Sequence, residues 1–263
     1  MKRTLTLVAM IALALGGSLW GSSTPEGKGE SLGVSSHATD GLVAGSGSRT
    51  ASPSHRSDKV EAALDSWRGL YERRAKGAEE AEELIEARRA AQAKAVERLG
   101  RGGDAIVPGM LDAYSDAKRS REKLVLLMGL GANGSPAALA ALSDKVATED
   151  RFRLREEALR GVGRSPSMEA EEMLVDAMAS ADDERLQQIA AQSLYGRPGA
   201  LEALTEAVLS LHLPMNVRLE AVHGIGGVGS DLALQTLLGL AVDTSLEARV
   251  RVYAEKEIER SFG

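Results

Sequence analysis

Apolar positions recur at helical spacing from Lys59 to Gly100. Val60, Leu64, Trp67 and Tyr71 fall on one stripe, as the buried side of an amphipathic helix requires. Gly77 interrupts the run, so the stretch reads either as one long helix or as two helices folded into a hairpin. Glu79, Glu80, Glu82, Glu83 and Glu86, followed by Arg88 and Arg89, carry few large apolar neighbours. Such a charge run is the solvated face of a helix.

Beyond this stretch the pattern repeats. The junction residues Gly100, Gly131, Gly163, Tyr195 and Gly226 are spaced by 31, 32, 32 and 31 residues. Eleven residues after each junction glycine comes a leucine: Leu111, Leu142, Leu174 and Leu237. Leu204 follows Tyr195 by nine. Five residues before each junction is a small or apolar residue (Ala95, Leu126, Ala158, Ala190, Ala221). Three residues earlier again is a basic or amide one (Gln92, Lys123, Arg155, Gln187, Arg218), and Arg251, Ala254 and Ile258 extend the series. A period near 32 holding two helical segments is the signature of a solenoid. Each unit is predicted as helix, turn, helix and a glycine-containing turn. The junction glycines are expected to end helices in the left-handed conformation, where a Cβ costs about 1 kcal/mol or more. Tyr195 departs from that rule, and Gly196 takes the role one residue later. Pro136, Pro166 and Pro198 fall between units. Pro108 and Pro214 sit near helix starts, where a missing N–H is harmless.

These residues resemble HEAT-like repeats of the short kind found in phycobilisome lyases. The closest stretches are Gly100 to Leu111 (GRGGDAIVPGML) and Val217 to Leu237 (VRLEAVHGIGGVGSDLALQTL). The resemblance covers roughly residues 104–263. It implies an all-α solenoid of about five helical hairpins, preceded by a long helix or helical hairpin over 59–103 that serves as a cap. It also implies that first helices form the convex layer and second helices line the concave side. Such repeats specify a fold and leave function open, because scaffolds, adaptors and a few lyases share them.

The N-terminus changes the picture. Lys2 and Arg3 precede an apolar run from Leu5 to Leu15, broken only by Thr6 and ended by Gly16-Gly17. That run is too short to span a bilayer, which takes roughly 20 residues, and reads as a signal peptide over residues 1–23. Residues 24–58 are rich in Gly, Ser and Thr with almost no apolar pattern. Such a stretch buries too little to offset the entropy of ordering it, so a disordered linker is expected. The chain has no cysteine, hence no disulfide and no lipid-modifiable thiol. Export without disulfides fits a bacterial periplasmic or secreted protein.

Composition and charge narrow the chemistry. Aromatic residues are 3% of the chain, which suits close-packed helices better than an aromatic-rich sandwich core. A formal charge of -6 disfavours nucleic acid, which selects a basic face. No cysteine nucleophile exists, and His212 and His223 are the two histidines after His55. Two histidines fall short of the three protein ligands a catalytic zinc takes, so neither metal nor cofactor is expected and no catalytic residue is assigned. Glu220 and His223, three apart on one helix, read as a solvated pair. Lys123, Arg155, Arg218 and Arg251 form a ladder at the edge of the core face, and Asp116, Asp150 and Asp183 are its expected structural partners.

The opposite face of the second helices carries the candidate partner site. At 100° per residue it comprises Val125 with Met128, Glu157 with Arg160, Ile189 with Gln192, Glu220 with His223, and Tyr253 with Lys256. Its chemistry is mixed, without a single-sign track for a phosphate backbone. A folded protein or an extended peptide is the expected partner, and the chain is expected to bind or scaffold. For Val125 and Met128 an equal alternative is that the N-terminal helix covers them. The competing function is a lyase-like enzyme handling a small molecule in the groove, which would need a deep pocket with converging polar groups.

Overall fold

A computed structural model of the chain describes residues 53–75 and 77–263. The signal-peptide assignment, and the linker up to residue 52, lie outside the described residues. Among the described residues there are twelve α-helices and no strand. The first pair is α1 (Pro53–Glu72) and α2 (Ala78–Gly100). Five further hairpins follow: α3 (Val107–Asp116) with α4 (Ser120–Asn133), α5 (Pro136–Thr148) with α6 (Phe152–Arg164), α7 (Met168–Ser180) with α8 (Glu184–Ser193), α9 (Leu201–Leu209) with α10 (Met215–Val228), and α11 (Asp231–Val242) with α12 (Ala248–Phe262). The open question over 59–103 is settled as a hairpin, with Gly77 as the N-cap of α2. Helix α1 begins at Pro53, inside the stretch assigned to the linker, because proline is pre-set for a first helical turn. No described helix is long and apolar enough to cross a membrane.

Short polar side chains start the first helices. The hydroxyls of Ser135, Ser167 and Ser230 accept from the backbone N–H of Ala138, Ala170 and Ala233 at 3.1–3.3 Å, each satisfying a donor that a helix start leaves free. Before α3 and α9 this role passes to 3₁₀ turns, Asp104–Ile106 and Pro198–Ala200. The left-handed residues are Gly103, Gly134, Gly196 and Gly229, with φ of 59–74°. Gly196 therefore takes the expected role. The junction glycines Gly100, Gly131, Gly163 and Gly226 do not, since all four lie within helices. Their function is space. A Cβ on Gly131 would sit 2.8 Å from the Gly161 Cα of the next unit, and one on Gly163 would sit 2.7 Å from the Ser193 hydroxyl. The period recorded close approach between helices.

Packing follows from that spacing. The even-numbered helices stack on one another in an unbroken series from α2 to α12. The odd-numbered ones hold less firmly: α5 and α7, like α9 and α11, scarcely touch. The even-numbered second helices thus form the closer-packed, inner layer. The core runs between the two layers as one cluster, and Leu142, Leu174, Leu204 and Leu237 are at most 2% exposed.

The basic ladder crosses between units. Arg155 donates to the Val146 carbonyl at 3.1 Å and to Asp182 at 2.6 Å and 3.2 Å. Arg218 repeats this with the Val208 carbonyl at 2.8 Å and both oxygens of Glu247 at 2.7 Å and 2.8 Å. In the first unit Lys123 lies 4.6 Å over the Tyr114 ring, and the Tyr114 hydroxyl donates to Glu149. The acids that meet the arginines are thus Asp182 and Glu247 rather than Asp116, Asp150 and Asp183, and Lys123 meets an aromatic ring instead. Asp183 is occupied as the N-cap of α8, accepting from the Arg185 N–H at 2.8 Å, which leaves its neighbour to meet the arginine.

Candidate functional site

Each second helix from α4 to α10 is packed on three sides, by its own first helix and by the second helices before and after it. A narrow strip remains open, and the two residues expected there on each helix behave differently. Met128, Arg160, Gln192, His223 and Lys256 form one row with spacings of 32, 32, 31 and 33 residues. Arg160, Gln192 and Lys256 are exposed, and Met128 and His223 are half-buried. Val125, Glu157, Ile189, Glu220 and Tyr253 form a second row, recessed between neighbouring helices. Val125 and Ile189 are only 1% and 3% exposed and belong to the core cluster, which corrects their place on an open groove.

At the N-terminal end of the strip, Gln92 of α2 donates to the Met128 sulfur at 3.1 Å. The first hairpin therefore contacts Met128, which stays half-buried. In the next unit Glu156, 8% exposed, accepts from Arg160 at 2.7 Å and from Arg185 of the following unit at 3.4 Å. Glu157 takes Arg164 at 2.9 Å. Glu220 accepts from Gln188 of the preceding unit at 3.0 Å rather than pairing with His223. Tyr253 lies near the charges of Glu220 and Glu257, and its hydroxyl is raised from the ordinary phenol value by burial first and by those charges second.

The far end holds the least legible part. The His223 ring stacks against Tyr195 with centroids 4.6 Å apart. Its Nδ1 lies 3.4 Å from Glu257, a carboxylate 3% exposed. Arg260 and the Ser261 hydroxyl also donate to Glu257, the latter at 2.7 Å. Two glycines make room for this cluster. A Cβ on Gly226 would meet Glu257 at 2.2 Å, and one on Gly227 would meet the Tyr195 ring at 2.5 Å. Sequence reasoning read Gly226 as a helix end, noted Tyr195 only as a departure from the junction glycine, and missed Glu257 and Arg260. The available signal was Tyr195 itself: a large ring at a position where other units carry glycine must be housed by its neighbours.

Chemically the strip is a chain of acids, cations and amides that largely satisfy one another within and between units. Its outward display is three hydrogen-bond donors in register: the Arg160 guanidinium, the Gln192 amide and the Lys256 ammonium. The interleaved Glu156, Glu157 and Glu220 break any continuous cationic track. Among the described residues no group of three His, Asp or Glu is placed to hold a metal ion. Neither a protein-family model nor a curated protein sequence matches the chain.

Proposed function

We propose that this chain is an exported HEAT-like repeat protein that works as a protein-binding or scaffolding module. The partner, a folded protein or an extended peptide, lies along the inner strip of second helices. The observation that carries this reading is the exposed row Arg160, Gln192 and Lys256, repeated in register on α6, α8 and α12. Side chains at one repeat position share a line, and a row of donors along an inner surface suits the acceptors of another polypeptide. The mixed charge beside it selects against a uniform polyanion. Export is supported by Lys2, Arg3 and the apolar run Leu5 to Leu15, and the absence of cysteine favours a bacterial periplasm or exterior.

The test is crosslinked capture from the native host, comparing the natural chain with an Arg160→Ala, Gln192→Ala, Lys256→Ala triple variant of equal thermal stability. The expected result is a defined partner retained by the first and lost by the second. Equal retention by both would remove the inner strip from consideration.

A further inference from the structure

A separate concavity lies at the N-terminal end. The turn between α1 and α2 and the turn between α3 and α4 border a cleft of about 1300 Å³. It exceeds the usual 300–1,000 Å³ of a small-molecule pocket. Its floor is aromatic: Trp67 and Tyr71 have ring centroids 4.7 Å apart. Guanidinium groups of Arg88 and Arg121 lie 5.1 Å and 5.4 Å over the Tyr71 ring. Ile85, 48% exposed, adds an apolar edge.

The walls carry seven basic side chains against five acidic ones, so the cleft is locally positive in a chain of net charge -6. Most of these cations are engaged. Arg68 is held by Glu61 and Glu122, Arg73 by Glu80 at 2.9 Å and Arg119 by Glu72 at 3.4 Å. Arg88 donates to the carbonyls of Leu70 and Arg73 at 3.1 Å and 2.8 Å, closing the end of α1. Arg74, Lys118 and Arg121 have no such ion pair among the described residues. A further group is unsatisfied: the buried indole N–H of Trp67 has no acceptor. The Trp67 N–H is sealed from the cleft, but the exposed, unmatched Arg74, Lys118 and Arg121 beside an aromatic floor call for an acidic occupant. Asp112 and Asp116 stand on the α3 wall and would repel a continuous phosphate backbone, while a peptide of mixed side chains can avoid them.

We propose that this cleft binds an acidic peptide segment of a partner protein, with an apolar side chain against Tyr71 and Ile85 and carboxylates on Arg74, Lys118 and Arg121. The site is distinct from the inner strip and does not share its residues. The experiment uses the full chain with Trp20→Phe, so that Trp67 alone reports by fluorescence. The probes are a short peptide of alternating Glu and Leu, its Lys and Leu counterpart, and a single-stranded oligonucleotide. The acidic peptide is expected to change Trp67 emission saturably and more weakly at high salt. Arg74→Glu with Lys118→Glu should weaken that response at least about tenfold with an unchanged thermal midpoint. Arg121→Gln and an Arg74→Ala, Lys118→Ala pair should weaken it less. The Arg160, Gln192, Lys256 triple variant should respond as the natural chain does, which separates failure here from failure of the inner strip. No response to the acidic peptide, equal affinity in the charge-altered variants, or tighter binding of the basic peptide or the oligonucleotide would each overturn the assignment.

Discussion

Gly131 and Gly239 are both helical glycines, and replacing them by alanine should have opposite effects. A methyl on Gly131 meets the Gly161 backbone at 2.8 Å, so α4 and α6 must separate. Overpacking of this kind costs about 1–3 kcal/mol. A methyl on Gly239 meets nothing within 4 Å, and alanine is the better helix former by up to about 1 kcal/mol. Urea unfolding of Gly131→Ala and Gly239→Ala should therefore move the midpoint down and up respectively; movement in one direction for both would deny the close-packing role. Glu247 offers a second handle. The Arg218 guanidinium, and secondarily its backbone hydrogen bond, holds its carboxyl at about 2, below the ordinary 4.5. A depressed carboxylate contributes its full stabilisation above the unfolded value and loses it as pH falls toward the folded one. The thermal midpoint of the natural chain should thus fall between about pH 4.5 and 2 more steeply than that of Glu247→Gln, whereas parallel curves would mean the pair contributes nothing. Arg218 itself is 2% exposed, while Arg155 is half-buried with an exposed partner. Arg218→Ala should accordingly destabilise more than Arg155→Ala.

At the scale of the helix, the period and the core leucines could be read from sequence because they answer to one rule. Leu142, Leu174 and Leu237, eleven residues after a glycine, are buried, whereas Leu111 at the same spacing is only half-buried. The role of that glycine was not readable. A helix end and a close helix crossing both exclude a Cβ, and the chain alone does not say which neighbour would be struck. The candidate strip was half legible for a related reason. Helical angles put Val125 and Met128, or Ile189 and Gln192, on one face, but the neighbouring second helices cover the earlier member of each pair. The consequences separate cleanly in thermal unfolding. Leu174→Ala and Leu237→Ala should each cost about 2–5 kcal/mol, and Arg160→Ala and Gln192→Ala should stay within about 0.5 kcal/mol. His223→Ala should fall between, because its ring packs on Tyr195 and faces buried Glu257. If Arg160 and Gln192 proved as costly as the leucines, the assignment of exposed and recessed rows would fail.

For the whole molecule, each hairpin buries its apolar stripe against the units before and after it, so stability should spread by neighbour contacts. Leu174→Ala should speed amide exchange in α7 and in the adjoining α6 and α8 before it affects α1 and α2. Uniform acceleration along the chain would instead indicate one indivisible core. The same serial construction gives the inner strip its regular spacing, and with it the central claim that a partner lies along the second helices. Site-specific photo-crosslinking tests that claim most directly. A photoreactive side chain is placed in turn at Arg160, Gln192 and Lys256 on the inner strip, and at Asp144, Glu172 and Glu206, exposed positions on first helices. In the native host the three inner positions are predicted to trap one and the same partner and the three outer positions to trap none. Crosslinks to that partner from the outer positions, with none from the inner row, would contradict the account.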